Sequence, residues 1–400
     1  MILIKIHKLN TMRRLFFLLF TICFCIFLSA QTTDNSASTI INAGNGFHLG
    51  GYGQIDMNRV RSDDNVNHNA KLDVHRFVTF LGYNFNDRVS FVSEIEMEHV
   101  VELYVEQAFL NYRLKDNMSF QAGLMLVPMG IQNLYHEPPT FNGVERTNVD
   151  KYIVPTTWRE IGVGVAGSME DMDINYQLMA INGFNGYDED GGVFSGKSGL
   201  RSGRQKGAES YMTELDFAGR VSYFGMPGWN LGASIYQGDS ETILYNELDL
   251  DNVNAVAIAD SSKIGIDMIG FDARYINGAF QARGQYIVGD LSNTDQYNAK
   301  TGSDVGSKIK GYYVEAGYDI MSNNPSNEKL VLFIRTEKYN THAEVDGIVK
   351  NKAYNRTENT FGLTWHVADG AAFKVDYQTI SNKASDLETN KVNMGVAIWF

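Results

Sequence analysis

The chain has 400 residues, with 34 Lys and Arg against 47 Asp and Glu and a formal net charge of −13. That acidic balance argues against a nucleic-acid partner, which would call for clustered basic side chains. Twenty-three Phe, 21 Tyr and 38 Gly against six Pro suit many strands with few breaks.

The first thirty residues read as an export signal. Lys5, Lys8, Arg13 and Arg14 form a basic start, Leu15 to Leu28 an apolar run, and Ser29-Ala30 a small-residue exit before Gln31. Met12 is an alternative start. The apolar run is shorter than the roughly 20 residues a spanning helix needs. Cys23 and Cys25 both fall inside this segment, so the processed chain is expected to carry no disulfide. Removing the four basic residues leaves 30 Lys and Arg against 47 acidic residues, a net −17. Residues 31–45 read as a short polar segment, and 46–400 as one domain.

Within 46–400, apolar and polar residues alternate in sixteen runs. They are 46–56, 72–85, 89–98, 104–114, 117–127, 160–169, 172–183, 211–223, 229–238, 263–275, 279–289, 308–320, 329–340, 356–367, 371–381 and 390–400. A period of two marks strands with two different faces, and about 9–11 residues carry a tilted strand across a bilayer. Short turns (86–88, 115–116, 170–171, 224–228, 276–278, 321–328, 368–370) alternate with longer connections (57–71, 128–159, 184–210, 239–262, 290–307, 341–355, 382–389). Only 99–103 is short where a long loop is due. Turns segregated from loops in this way predict an all-β fold, a 16-stranded antiparallel transmembrane β-barrel. An even strand number places both chain ends on the short-turn, periplasmic side. No Pro falls inside a proposed strand.

Charge sets which face is which, because Arg or Lys on the lipid face costs about 2–4 kcal/mol at the bilayer midplane. The inward set therefore holds Arg76, Arg220, Arg274, Arg283, Arg335 and Lys374 with Glu94, Glu96, Glu98, Glu214, Asp216, Asp272, Glu315, Asp319, Glu337 and Asp376. Phe91, Ile95, Leu215, Phe217, Phe280, Tyr286, Phe373 and Val375 are expected to face lipid. In the last strand Val392, Met394, Val396, Ile398 and Phe400 share the lipid face. Tyr83, Tyr112, Tyr223, Trp229, Tyr275, Trp365 and Trp399 near strand ends suit interfacial girdles. A polar lining at sixteen strands implies a lumen wide enough for water.

Loop 128–159 is the longest connection and holds Pro128, Pro138, Pro139 and Pro155. Its apolar and aromatic content predicts order, and its position after strand five predicts an inward-folded constriction. Its charges are Glu137, Glu145, Arg146, Asp150, Lys151 and Arg159, with Arg146, Lys151 and Arg159 expected to face carboxylates across the gap.

Gly50-Gly-Tyr-Gly-Gln-Ile-Asp56, Arg76-Phe-Val-Thr-Phe-Leu-Gly82, Val105-Glu-Gln-Ala-Phe-Leu-Asn-Tyr-Arg113 and Phe120-Gln-Ala-Gly-Leu-Met-Leu-Val-Pro-Met-Gly130 resemble the phosphate-selective porin O and P family of Gram-negative outer membranes. The resemblance implies a passive diffusion porin for small hydrophilic solutes or ions, phosphate or other anions among them, and a homotrimer in outer-membrane lipid. The inward acids outnumber the inward bases, so the lining leaves a general or cation-preferring pore open beside an anion-preferring one. A barrel acting as surface adhesin, receptor or enzyme is the alternative. His48, His68, His75, His99, His136, His342 and His366 are scattered, with no metal-ligand spacing on one strand. No catalytic residue, cofactor or metal is expected. Asp63-Asp64 and Asp188-Glu-Asp190 read as solvated loop carboxylates.

Overall fold

A computed structural model describes residues 35–62 and 69–400. The expected export signal, Asp63-Asp64 and His68 lie outside the described residues. Sixteen strands close into one antiparallel barrel. They are β1 Gly46–Ser62, β2 Lys71–Asn86, β3 Val89–Glu98, β4 Glu102–Lys115, β5 Met118–Leu126, β6 Arg159–Met169, β7 Ile174–Ile181 and β8 Asp216–Tyr223. The second half is β9 Trp229–Asp239, β10 Gly265–Asn277, β11 Phe280–Ser292, β12 Lys308–Asp319, β13 Lys329–Glu344, β14 Asn355–Ala368, β15 Ala371–Asn382 and β16 Ser385–Trp399. Each strand pairs with its sequence neighbour, and β1 closes on β16 with Ile55 opposite Val396 and Tyr52 opposite Trp399. Closure leaves no strand edge unpaired, which a bilayer requires.

The expected facing holds along the strands. Phe91, Phe217, Phe280, Tyr286, Phe373 and Met394 are exposed on the outside, while Glu94, Glu96, Arg220, Arg335, Lys374 and Asp376 are buried on the inside. Several details differ from the expectation, among them that β1 runs on to Ser62 and β13 to Glu344. Glu214 is exposed and lies ahead of β8, which starts at Asp216, because Thr213 and Glu214 turn their backbone amides to Glu241. Residues 382–389 are mostly strand, since β15 and β16 extend to a connection of 383–384. Trp399 packs on the interior cluster rather than in a girdle, as its alternation with Phe400 dictates. Trp229 against Tyr275, at 4.7 Å between centroids, does form an interfacial pair.

The polar segment before β1 contains a helix, α1 (Ser36–Ile41), capped by Asn35. Ile40 is buried against Gly82 of β2, where any side chain would collide with it. Loop 127–158 carries α2 (Asn148–Tyr152). Later long connections carry α3 (Val253–Asp260) and α4 (Thr294–Thr301), and a small sheet joins Asn185–Asp188, Gly191–Gly192 and Glu241–Thr242.

Candidate functional site

An empty aqueous lumen would leave the inner-face side chains solvated. Instead they are buried, because loop residues meet them. Lys374 Nζ donates to the carbonyls of Pro138 and Phe141, both at 2.6 Å. Asp376 accepts from Val144 N at 2.7 Å. Asn142 donates to Glu315, Val149 N to Glu337, and Gln285 to Asp150. Two strands further round the barrel from Asp376, Gln54 and Asn58 of β1 bond Val144 and Glu145. Loop 127–158 thus contacts inner-face residues of β1, β3, β4 and β9 through β15. Apolar side chains fill its own interior: Val127, Met129, Ile131, Val149, Ile153 and Trp158 are all buried. Trp158 stacks on Phe184 at 4.4 Å and meets Tyr236 of β9 edge-on at 4.7 Å, which ties this loop to the next.

Several of the expected lining residues are paired with one another. Arg220 meets Asp272 in a two-pronged contact of 2.6 and 2.9 Å. Arg283 lies 2.8 Å from Glu315, and Arg335 lies 3.4 Å from Glu315 and 3.3 Å from Glu337. Arg76 lies 3.5 Å from Glu96. Arg274 instead sits over the Tyr135 ring of the loop at 4.3 Å. Glu94 accepts from Gln107 and lies 3.9 Å from His136.

The loop charges occupy different surroundings. Glu137 accepts from Ser36 N of α1 at 2.9 Å, and Glu145 accepts from Asn58. Asp150 accepts from Thr147 and Gln285, and burial pushes its carboxyl up to about 6. Burial, then Arg76, lowers Arg146 to about 10; its Nη2 donates to His136 O. Burial opposes the charged His136 imidazole, but Glu106 at 3.3 Å outweighs that and raises its pKa. Lys151 is exposed, over the Tyr152 ring. Arg159 opens β6 and donates from Nε to Val105 O at 2.9 Å. Among the described residues, none of Arg146, Lys151 and Arg159 forms an ion pair with a carboxylate.

Arg159 has cationic company that sequence reasoning missed. Arg201, Arg204 and Lys206 from the connection after β7 gather beside it at the long-loop end of β4 to β6. Arg201 donates to Thr156 O, and Arg204 donates to Thr156 O at 2.9 Å and Thr157 O at 3.3 Å. Lys206 and Arg159 lie over the Tyr104 ring at 4.9 and 5.9 Å. Burial and then Arg201 and Arg159 lower Arg204 to about 9, while burial and then Arg204 lower Lys206. All three newcomers are half-buried. Their direct neighbours are carbonyls and an aromatic face; among the described residues none of the three forms a salt bridge, and Glu98 is the carboxylate whose charge reaches all of them. The spacing Arg201-x-x-Arg204-x-Lys206 was the available signal, but nothing in a loop sequence fixes which strand it visits.

Among the described residues, two cavities lie inside the barrel. One of about 450 Å³ lies toward the short turns, bounded by Arg113, Gln121, Arg220 and Asn230 with Asn35 of the N-terminal segment. Another of about 260 Å³ is bounded by Tyr135, Arg274, Arg283, Glu315 and His366.

Comparison with known proteins agrees with this architecture. The family model for phosphate-selective porin O and P matches residues 47–397. An uncharacterized protein of Aquifex aeolicus is 29% identical over 375 residues, covering 91% of this chain and 82% of that protein. Among solved structures, the outer membrane channel DcaP of Acinetobacter baumannii superposes with a TM-score of 0.59 at 12% identity, covering 90% of this chain and 98% of that one. The anion-selective porin from Comamonas acidovorans gives 0.53 at 10%, covering 88% and 100%. Salmonella typhi OmpF in complex with daunomycin gives 0.54 at 12%, covering 89% and 98%. Those likenesses are of fold. With a family model spanning nearly its whole length and a closed sixteen-stranded barrel that is apolar outside and polar within, the chain belongs to the phosphate-selective porin O and P family, as a porin of the Gram-negative outer membrane.

Proposed function

We propose that this porin passes small anions, phosphate among them, past a positively charged entrance formed by Arg159, Arg201, Arg204 and Lys206. The single observation carrying the reading is that Arg201 and Arg204 are held by backbone carbonyls and Arg159 and Lys206 by the Tyr104 ring, while among the described residues none of the four forms a salt bridge with a carboxylate. Arg and Lys rings favour anions by their charge. The inner wall beyond is acidic in total, but Arg220, Arg283 and Arg335 pair with its carboxylates and cancel much of that charge. In this reading loop 127–158 is the constriction, the chain is exported by the signal over residues 1–30, and the working unit is a homotrimer.

The test is a reversal potential in a planar bilayer under a KCl gradient, and again under a phosphate gradient. The unaltered porin should show a potential of anionic sign. Replacing Arg201, Arg204 and Lys206 together by Ala should move it toward the cationic sign. An unchanged potential would remove this cluster from the permeation path, and a bilayer that stays sealed would remove the pore.

A further inference from the structure

Four side chains at the long-loop end of β1, β2 and β3 take no part in that entrance: Asp56, Asp73, His75 and His99. Topology, not sequence spacing, brings them together. Asp56 of β1 is the cross-strand partner of Asp73 of β2. His75 is the residue that a β-bulge leaves unpaired between Val74 and Arg76 of β2, and the bulge turns its ring to Asp56. His99 follows β3, and its backbone amide donates to His75 O at 3.4 Å.

The ligand atoms of Asp56, Asp73 and His75 are already close, and His99 joins them through Asp73. Asp56, Asp73 and His75 each offer one within 4.8 Å of the others. His75 Nδ1 lies 3.4 Å from Asp56 Oδ2, and His99 Nδ1 lies 2.7 Å from Asp73 Oδ2. A tetrahedral zinc with bonds of about 2.0–2.2 Å holds neighbouring ligand atoms about 3.3–3.5 Å apart. The His75–Asp56 distance matches that edge, and the Asp73–His99 pair needs to open by about 0.6–0.8 Å.

A second observation points at a cation. The Asp56 side chain is wholly shielded from solvent; its Oδ2 accepts from Gln54, but its Oδ1 has no hydrogen-bond partner. A buried carboxylate oxygen without a partner is costly unless a positive charge lies against it. Lys71 touches Asp73 at 2.9 Å from a side chain that is 68% exposed. A doubly charged ion would displace it readily.

We propose that Asp56, Asp73, His75 and His99 form a binding site for a divalent transition metal, with Zn²⁺ the best match to two imidazoles and two carboxylates. The ion pins the long-loop ends of β1, β2 and β3 together.

The experiment uses the full barrel in detergent with ZnCl₂ alone as probe, read by calorimetric titration and by metal analysis after dialysis. One Zn²⁺ per chain is expected, and Co²⁺ in its place should show the visible absorption of a tetrahedral ion. Removing a group that only supports a ligand costs about 10–100-fold in affinity, so D56N and H75A should each weaken binding by about 100-fold or more. H99A alters the exposed turn 99–101 and leaves the strands intact, so it tests the site even if D56N fails to fold. D188N, in the small sheet built from the long connections, should bind as the unaltered protein does. Heat-dependent gel mobility confirms a closed barrel in each variant. No zinc retained by the unaltered barrel, or equal retention in H75A and H99A, would overturn the site.

Discussion

Asn148 of α2 donates its side-chain amide to both carboxylate oxygens of Glu358 on β14, at 2.9 and 2.8 Å. Glu358 also accepts from Tyr339 at 2.5 Å and Gln378 at 2.6 Å, so its orientation is fixed before the loop reaches it. Hydrogen bonds to charged groups contribute about 1.5–3 kcal/mol each. N148A should therefore loosen α2 against the wall. Single-channel records are expected to show more current noise and a larger mean conductance. Identical records would mean that the wall holds this segment without Asn148.

Arg220 and Asp272 are not on adjacent strands. Arg220 reaches across β9, and it can do so because the intervening residue is Gly232, where a Cβ would fall 2.2 Å from Arg220 Nη2 and 2.5 Å from Asp272 Oδ2. Breaking a buried pair by removing one partner costs about 3–5 kcal/mol. D272A should lower the temperature at which the barrel loses its compact gel mobility, and G232A should do so as well by wedging the pair apart. A G232A barrel as heat-resistant as the original would show that the arginine can detour.

His136 gives a dependence on pH. Its pKa is raised above the ordinary value of 6.5 by Glu106, against the effect of burial. A raised folded value means that its stabilisation is complete below about 6.5 and is lost as pH climbs through the higher folded pKa. Loop 127–158 should accordingly become easier to clip with protease on the alkaline side of that window. H136Q should flatten the dependence. A clipping rate that stays level with pH in the unaltered porin would contradict the charged imidazole.

The N-terminal helix touches the same loop from the short-turn side. Ser36 N donates to Glu137, and Asn35 Nδ2 donates to Leu134 O at 3.2 Å. Deleting residues 35–42 should enlarge the 450 Å³ cavity and raise conductance without preventing barrel closure, because closure relies on β1 and β16. A barrel that no longer closes would assign α1 to assembly instead.

The strands were legible because lipid on one side and polar groups on the other impose the period of two on every strand. Each of the sixteen runs corresponds to a barrel strand, and the error at 382–389 arose where polar residues continue an extended edge beyond the bilayer. Inward charges such as Arg283 and Lys374 were legible for the same reason. Their partners were not: nothing in the sequence says that Lys374 will meet Pro138 and Phe141, or that Arg201 and Arg204 will reach Thr156. Those contacts depend on loop paths that follow no period. Asp56, Asp73, His75 and His99 escaped for a related reason, since their proximity is set by register between strands and not by spacing along one.

Arg201 and Arg204 are braced by the carbonyl oxygens of Thr156 and Thr157. A carbonyl fixes the direction of a guanidinium but carries only a dipole, so it steadies the group while leaving its monopole intact. A carboxylate in the same place would have steadied it equally and extinguished its field. The electrostatics of this entrance therefore rest on two backbone peptides that no side-chain substitution at Thr156 or Thr157 would remove, and selectivity should tolerate change at those positions far better than at the arginines themselves.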